Sequence, residues 1–320
     1  MAGFNTQIYH HPCAKQSPLH SPSLRPPRSL RVAPLTRSLT PLSFLKETLP
    51  MPTLSFTKMN GAGNDFVLLD NRDGSLALTD AQIARLCDRH RGVGADGLLL
   101  VEKPEAKADF RMRYYNADGR EAEMCGNGAR CFSRFVSKIA PANNGTVSFE
   151  TPAGVISATL HGDQVSLAMS QPGPFADGVE LDAAGQKLTV YSINTGVPHA
   201  VVLVDDLDGT DVHKLGAALR HHHHFQPRGT NVNFVRQLGP QDLAIRTYER
   251  GVEAETLACG TGVVASALTV AALTGAESPV RVLVKGGDTL SVDFLRSGDA
   301  FSHVILTGPA DFVFEGEITV

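Results

Sequence analysis

From Thr53 onward, apolar residues occur in short runs separated by Asn, Asp and Gly. The runs at residues 66–69, 97–101 and 110–114 have the length and composition of β-strands bounded by turns. We therefore predict a strand-rich body.

Three segments depart from this pattern and predict helices. The first opens with a capping box from Thr79 to Gln82 and continues with apolar residues on one face, which places Cys87 in the core. The second is expected to begin near Cys125 and to end before Pro141, because proline cannot continue a helix. The third is expected to run from Cys259 to Gly275.

The second and third helices begin with the same short motif. Cys125-Gly126-Asn127-Gly128 and Cys259-Gly260-Thr261-Gly262 share Cys-Gly-x-Gly, and each follows a turn region rich in glutamate. This internal repeat predicts an α+β fold of two pseudo-symmetric domains, each a strand-rich, barrel-like sheet around a central helix, with the active site in the cleft between them. The expected domains are residues 51–171 and 172–305, with a last strand at about 306–320 returning to the first.

Composition excludes several functional classes. The 320 residues are 42 % hydrophobic and 19 % charged with a net charge of −4, which gives no basic surface for nucleic acid. Apolar runs are too short to span a membrane. Five cysteines without CxxC spacing argue against a disulfide framework or a zinc site and favour a reducing, cytoplasmic compartment.

Residues 1–50 differ from the rest of the chain. They are rich in Pro, Ser, Arg and His, and Glu47 is their single acidic residue. Such a segment is compatible with an organelle transit peptide, but Met51 directly precedes the first strand-like run and could be the true start. We expect a disordered or spurious extension.

The paired cysteines suggest acid/base chemistry. At a helix N-terminus, unpaired N–H groups and the helix dipole favour a thiolate, so we expect the pKa of Cys125 and Cys259 to lie below about 8.5. Glycines after each cysteine let a carboxylate approach the same N–H groups. Inversion of a stereocentre requires proton removal from one face and delivery to the other, which two such sites can provide.

Other interpretations of the cysteines remain. Cys125 and Cys259 could be small buried residues that begin ordinary helices, as most free cysteines are. Cys131 lies on a different helix face without a glycine-rich setting, so we predict that it is a core residue.

Five ordered motifs closely resemble diaminopimelate epimerase over the chain from about residue 53 to its end. They lie at residues 59–66, 116–131, 198–199, 229–234 and 248–262. The resemblance implies interconversion of LL- and meso-diaminopimelate, in lysine and peptidoglycan precursor biosynthesis, with no pyridoxal phosphate or other cofactor and no metal. It implies that Cys125 is the base toward the LL isomer and Cys259 toward the meso isomer.

The resemblance also implies the substrate contacts. The substrate-binding residues are expected to be Asn64, Asn116, Gly126, Asn127, His199, Asn231, Glu249, Arg250, Gly260 and Thr261. Amide oxygens, a glutamate and a bidentate arginine suit a substrate with two ammonium and two carboxylate groups. Helix N–H donors suit the reacting carboxylate, whose negative charge grows as the α-proton leaves.

Some positions are ambiguous or depart from the family. His199 could tune a cysteine or contact substrate, or could simply be a hydrogen-bonded histidine at a strand end. The run His221–His224 lacks Cys or carboxylate partners nearby, so we expect no metal there. Many family members have Gln at the position of Gly97 and Asn at that of Val197, and residues 252–256 contain one extra residue.

Three other functions are alternatives for a chain with these two cysteines. A proline racemase or hydroxyproline epimerase also pairs two cysteines, but one lies in a Cys-Gly-His-Gly setting where this chain has Asn127. A thiol redox switch would more often use CxxC, and a non-catalytic binder would not need both cysteines. The expected partner is a small-molecule substrate, in a protein that could form a homodimer.

Overall fold

The computed structural model describes residues 53–122, 124–141 and 145–320. The extension predicted at residues 1–50 lies outside the described residues. Eighteen described strands join in one continuous hydrogen-bonded sheet. The strands are β1 (Thr53–Gly61), β2 (Asn64–Asp70), β3 (Gly97–Glu102), β4 (Phe110–Asn116), β5 (Glu121–Ala122), β6 (Thr146–Thr151), β7 (Gly154–His161), β8 (Gln164–Ala168), β9 (Ala176–Ala183), β10 (Gln186–Asn194), β11 (Pro198–Leu203), β12 (Asn231–Gly239), β13 (Asp242–Glu249), β14 (Ala254–Thr256), β15 (Val280–Leu283), β16 (Thr289–Ser297), β17 (Ala300–Pro309) and β18 (Asp311–Thr319).

Four α-helices accompany the described strands: α1 (Asp80–Cys87), α2 (Gly126–Ile139), α3 (Val212–Arg220) and α4 (Gly260–Thr274). The capping box is confirmed: the Thr79 side chain accepts from the backbone N–H of Gln82, and the Gln82 side chain accepts from the backbone N–H of Thr79. The predicted helices after Cys125 and Cys259 are confirmed as α2 and α4. Helix α3 was not predicted. Among the described residues, no helix combines the length and apolar character needed to cross a membrane.

The strands and helices form two repeats with the same order and pairing. In the first, β2 and β3 are parallel around α1, β3–β4–β5 are antiparallel, and β6 returns beside β4 after α2. In the second, β11 and β12 are parallel around α3, β12–β13–β14 are antiparallel, and β15 returns beside β13 after α4. The sequence match at the two cysteines is therefore the visible part of a repeat that spans the described chain.

Two pairings join distant parts of the chain. Strand β18 lies antiparallel to β1, with Thr53 opposite Thr319, so the end of the chain completes the first repeat. The equivalent strand of the second repeat is β9, which precedes β10 and pairs with it. Strands β8 and β17 pair across the repeats, with Leu167 opposite Leu306.

Each repeat has an inner and an outer core. The inner cores surround the central helices: Phe66, Phe132 and Phe149 pack around α2, and Val264, Leu268 and other small apolar residues pack along α4. The outer cores lie under α1 and α3. Cys87 and Cys131 are buried in these cores, as predicted. The fold is thus α+β, with two pseudo-symmetric, strand-rich, barrel-like units that each enclose a helix.

Candidate active site

The two cysteines occupy equivalent backbone positions. Cys125 and Cys259 are the N-cap residues of α2 and α4, both with extended φ/ψ angles. Each follows a short strand, β5 or β14, that is paired to the preceding strand of its repeat. The repeat therefore places one thiol at the N-terminus of each central helix.

The N-termini of the two helices meet. The Asn127 side chain on α2 donates from Nδ2 to the carbonyl oxygen of Ala258, just before α4, at 3.1 Å. A Cβ built on Gly260 would lie 4.0 Å from the Cα of Gly126. This arrangement brings the N–H groups of Gly126, Asn127, Gly260 and Thr261 to one region, where they can attract an anion.

Cys125 faces the side-chain amide of Asn64. Its thiol donates to Asn64 Oδ1 across 3.5 Å, and Asn127 Nδ2 lies 3.4 Å from the same oxygen. The other end of the amide is fixed, because Asn64 Nδ2 donates to Asp96 at 2.7 Å. Asp96 is itself paired with Arg89. Asn64 therefore presents an acceptor oxygen to Cys125.

Cys259 faces a hydroxyl and a histidine. Its sulfur is 3.6 Å from Thr261 Oγ1, and that oxygen is 2.9 Å from His199 Nε2. On the far side of the ring, Asn233 Nδ2 lies 3.1 Å from His199 Nδ1 and also donates to the Ala200 carbonyl. A hydroxyl thus separates the histidine from the cysteine.

The hydrogen-bond network assigns the tautomer of His199. The Ala200 carbonyl requires the amide NH₂ of Asn233 on its side, so His199 Nδ1 accepts and Nε2 carries the hydrogen. Burial lowers the pKa of His199 to about 3, so the ring is neutral at physiological pH. His199 then donates to Thr261 Oγ1, which leaves the Thr261 hydroxyl hydrogen available to Cys259.

The expectation of lowered cysteine pKa values is wrong for this structure. Burial raises the pKa of Cys125 to about 11, although the backbone N–H groups of Gly128 and Asn127 lower it. Burial and the negative charge of Glu249 raise the pKa of Cys259 further. Desolvation of a thiolate therefore outweighs the helix N-terminus, and both thiols are protonated near neutral pH.

The polar residues of the second repeat cluster at the ends of β12 and β13. Asn231 Oδ1 accepts from the backbone N–H of Arg250 at 2.8 Å, and Asn231 Nδ2 donates to the Pro198 carbonyl at 3.3 Å. Glu249 is half-buried, and burial raises its pKa. Arg250 Nη1 is 3.4 Å from the Arg228 carbonyl. Asn231 therefore anchors the loop that carries Arg250.

The predicted residues of the first repeat lie on three elements, since Asn64 begins β2 and the others belong to β4 and the start of α2. Asn116 ends β4 and is exposed, with its backbone N–H bonded to the Arg120 carbonyl. Gly126 begins α2, and a Cβ built there would meet no atom within 4 Å. That empty space gives a ligand direct access to the backbone N–H groups.

Three side chains that support the site were not predicted. Arg130 is fully buried and donates to Asn127 Oδ1 at 3.0 Å and to the Pro309 carbonyl at 3.1 Å. Asp96 and Asn233 orient Asn64 and His199 as described above. Arg130 and Asn233 fall inside the motifs that resemble the family, which was their only signal in the sequence, whereas Asp96 lies outside those motifs, next to Gly97.

The remaining ambiguous positions lie away from the thiols or show no site of their own. His221 caps the C-terminus of α3, and its Nε2 lies 3.4 Å from Glu253, so the prediction that this run lacks a carboxylate partner is wrong for His221. His223 and His224 form a short 3₁₀ turn after it. Within the described ranges, no group of three or more His, Cys, Asp or Glu side chains is arranged to hold a metal ion. Val197 is half-buried, and its carbonyl accepts from the backbone N–H of Thr195 at 3.2 Å.

Solved structures with this architecture have little sequence in common with the chain. A phenazine biosynthesis protein of the PhzF family from Bacillus anthracis is 17 % identical, with a TM-score of 0.66 over 84 % of this chain and 100 % of its own. A hydroxyproline epimerase from Agrobacterium vitis is 15 % identical, with a TM-score of 0.57 over 84 % of this chain and 93 % of its own. These likenesses define the fold class: two strand-rich repeats, each around a central helix.

Sequence comparison then identifies the family. The model of the diaminopimelate epimerase family matches residues 56–174 and 191–313. The diaminopimelate epimerase of Aquifex aeolicus is 43 % identical over 83 % of this chain and 98 % of its own length. That of Chlorobaculum tepidum is 45 % identical over 82 % and 100 %. The chain belongs to the diaminopimelate epimerase family.

Proposed function

We propose that this chain interconverts LL- and meso-2,6-diaminopimelate by a two-base mechanism that needs no cofactor or metal. One observation carries the proposal: two cysteines begin two symmetry-related helices whose N-termini abut. Membership of the family supports the choice of substrate. Cys125 acts as base toward the LL isomer and Cys259 toward the meso isomer, and the other thiol returns a proton to the opposite face.

The helix N-termini hold the reacting carboxylate. The N–H groups of Gly126, Asn127, Gly260 and Thr261 donate to it, and these bonds strengthen as negative charge develops when the α-proton leaves. The donors are already fixed by the helices, so the protein does not reorganise at that moment. This stabilisation takes the place of an electron-withdrawing cofactor.

Substrate binding brings a positive charge close to the thiols. With the pKa of Cys125 at about 11, almost no thiolate forms near neutral pH before the substrate arrives. The α-ammonium brings a positive charge into a desolvated site, where it lowers the pKa of a nearby thiol. Thiolate formation is thereby coupled to occupancy, which protects a nucleophilic sulfur from side reactions.

The other half of the substrate is held by polar residues of both repeats. We assign this role to Asn64, Asn116, Asn231, Glu249 and Arg250, with His199 acting through Thr261. Arg250 grips a carboxylate, and the acceptor groups hold ammonium. If so, Arg250→Lys keeps the charge but loses the fork geometry, and binding weakens by roughly 1.5–3 kcal/mol.

The proposal extends to domain organisation, location and assembly. We propose that the repeats act as two domains bounded near residues 171 and 172, that the protein works in the cytoplasm, and that it forms a homodimer. The absence of CxxC spacing among the five cysteines supports a reducing compartment.

The deciding experiment is incubation of the pure protein with LL-diaminopimelate in D2O, followed by chiral separation and mass measurement. We expect meso product that carries deuterium at the inverted carbon. L-Proline, which has no distal amino-acid group, should be a negligible substrate. Efficient racemisation of proline, or no deuterium in any product, would overturn the proposal.

A further inference from the structure

Tyr114 and Asn116 share one face of strand β4. Side chains alternate along a strand, so Met112, Tyr114 and Asn116 point to the same side. Met112 and Tyr114 pack in the inner core around α2, together with Cys125. Tyr115 points the opposite way, into the outer core with α1. The face that carries Tyr114 and Asn116 is therefore the face of the candidate active site.

The Tyr114 ring occupies the space above Gly97. In the β3–β4 pair, Gly97 lies opposite Asn116. A Cβ built on Gly97 would lie 2.7 Å from Tyr114 Cε2 and 2.6 Å from the Tyr115 carbonyl oxygen. These distances are too short for any side chain at position 97. Gly97 and Tyr114 are thus a matched pair, because the absence of a side chain at position 97 leaves room for the tyrosine ring.

The Tyr114 hydroxyl fixes the amide of Asn116. It donates to Asn116 Oδ1 at 2.9 Å, which engages the acceptor end of the amide. In the described part of the chain, no acceptor bonds to Asn116 Nδ2, and the residue is exposed. Burial raises the pKa of Tyr114, so its hydroxyl remains a donor at any working pH. Asn116 therefore presents N–H donors to the cleft.

Asn64 shows the opposite arrangement. Its Nδ2 is held by Asp96, so it presents the acceptor oxygen, whereas Asn116 presents the donor. An acceptor suits an ammonium or a thiol, and a donor suits a carboxylate. The two asparagines therefore differ in the substrate group that each can recognise, although they are the same residue type.

We propose that Tyr114 is a specificity-determining positioning residue: its hydroxyl locks Asn116 as a donor toward a substrate carboxylate. This inference rests on the proposed function. Without the Tyr114 hydroxyl the Asn116 amide can rotate, and a rotated amide offers an oxygen that repels the carboxylate.

The test is Tyr114→Phe, which removes one oxygen and retains the ring over Gly97. We expect KM for LL-diaminopimelate to rise about 3- to 10-fold, as loss of the neutral hydrogen bond that orients Asn116 predicts, with kcat and the pH profile of kcat nearly unchanged. Tyr115→Phe is the matched control, because it makes the same change on the opposite face of the same strand. It should leave KM unchanged.

A double-mutant cycle decides whether Tyr114 acts through Asn116. In an Asn116→Ala background, Tyr114→Phe should have no further effect on KM. An unchanged KM in Tyr114→Phe, equal effects with and without Asn116, or a shifted pH profile at constant KM would overturn the inference while leaving the proposed function standing.

The proposed function fails separately. A wild type that binds diaminopimelate in calorimetry without turning it over would overturn the proposed reaction only. The same variants would then be compared by their dissociation constants for diaminopimelate. We expect Tyr114→Phe to weaken binding by the same factor of about 3 to 10, because it loses one hydrogen bond. A wild type that neither binds nor converts diaminopimelate would overturn both.

Discussion

Helices α2 and α4 begin with the same backbone arrangement but differ along their length. Helix α4 is buried on nearly every side by small apolar residues. Helix α2 is amphipathic and takes Asn127, Arg130 and Ser133 into the interior. The repeat therefore preserves the position of a cysteine at a helix start, while the interior around each helix has diverged.

The cysteine environments differ in hydrogen bonding. Asn64 Oδ1 can only accept, so it favours a protonated Cys125. The Thr261 hydroxyl accepts from His199 and can donate to Cys259, which offsets part of the rise that burial and Glu249 cause in the pKa of that thiol. Pseudo-symmetry of the backbone thus places one thiol at each helix start, whereas the side chains that hydrogen-bond to the two thiols differ.

Replacing either cysteine should have the largest effect. Cys125→Ala and Cys259→Ala each remove one of two proton-transfer groups, so the rate of epimerisation should fall by a factor of about 10²–10⁴. The two variants should also differ in isotope exchange. Cys259→Ala should place deuterium in LL substrate without forming meso product, and Cys125→Ala should do the converse with the meso isomer, as mass measurement after chiral separation will show.

Cys87→Ala and Cys131→Ala are the controls, because both thiols lie in cores away from the cleft. They should alter stability more than turnover. Near-wild-type epimerisation by either active-site variant would contradict the two-base mechanism.

The third residue after each cysteine tests how far the repeats have diverged. A Cβ on Gly262 would lie 2.4 Å from Asn233 Oδ1, whereas one on Gly128 would make ordinary contacts of 3.4 Å with Leu99 and Phe66. Gly262→Ala should therefore destabilise the protein by about 1–3 kcal/mol through overpacking. Gly128→Ala should change the free energy of unfolding by less than about 1 kcal/mol. Denaturant unfolding measures both, and equal costs would refute the difference.

The neutral, buried His199 should make the second repeat sensitive to acid. Its pKa is about 3 in the folded protein and about 6.5 when unfolded, so the unfolded state takes up the proton first as pH falls. Its stabilising contribution is complete above pH 6.5 and decreases below it by about 1.4 kcal/mol per pH unit, until the folded pKa is reached.

We expect His199→Asn to flatten this part of the pH–stability curve. Denaturant unfolding between about pH 6.5 and pH 4, where the unfolded state binds the proton and the folded state does not, measures the effect. His161→Asn, at an exposed position with no ion pair among the described residues, is the control and should leave the slope unchanged. A slope in His199→Asn equal to that of the wild type would show that the ring is not buried in its neutral form.

The smallest expected effect concerns the hydroxyl beside Cys259. Thr261→Val keeps the shape but removes the link to His199, so turnover should fall about 2- to 10-fold. Thr269→Val is the matched control on the same helix, because the Thr269 hydroxyl is buried without a partner among the described residues. That change should leave turnover intact and stabilise the fold slightly. Equal turnover in both variants would contradict a role for Thr261.

The sequence predicted what depends on local pattern. The capping box at Thr79, the helix starts at Cys125 and Cys259, and the stop at Gly275 are local signals, and all are confirmed. Helix α3 was not predicted, because its nine residues lie between loops and no strong signal marks its start. Its N-cap, Asp211, follows a run of other turn-forming residues.

The pKa values and the orientation of amides could not be predicted in this way. Whether a helix N-terminus lowers a thiol pKa depends on how much water remains near it, and burial of Cys125 comes from residues distant in the chain. The orientation of Asn64 likewise depends on Asp96, 32 positions later. The motif resemblance indicated which residues lie at the site, but not the hydrogen-bond partner of each side-chain atom.

The pairing of β1 with β18 has a consequence for the order of folding during synthesis. Strands β9 to β17 are contiguous in sequence, so the second repeat takes all of these strands from one uninterrupted segment. The first repeat is made earlier but cannot close its sheet until Thr319 emerges to lie opposite Thr53. Loop closure over so long a separation is slow, and β1 exposes an unpaired edge meanwhile. The N-terminal repeat is therefore the one that a stalled or truncated polypeptide would leave open to aggregation.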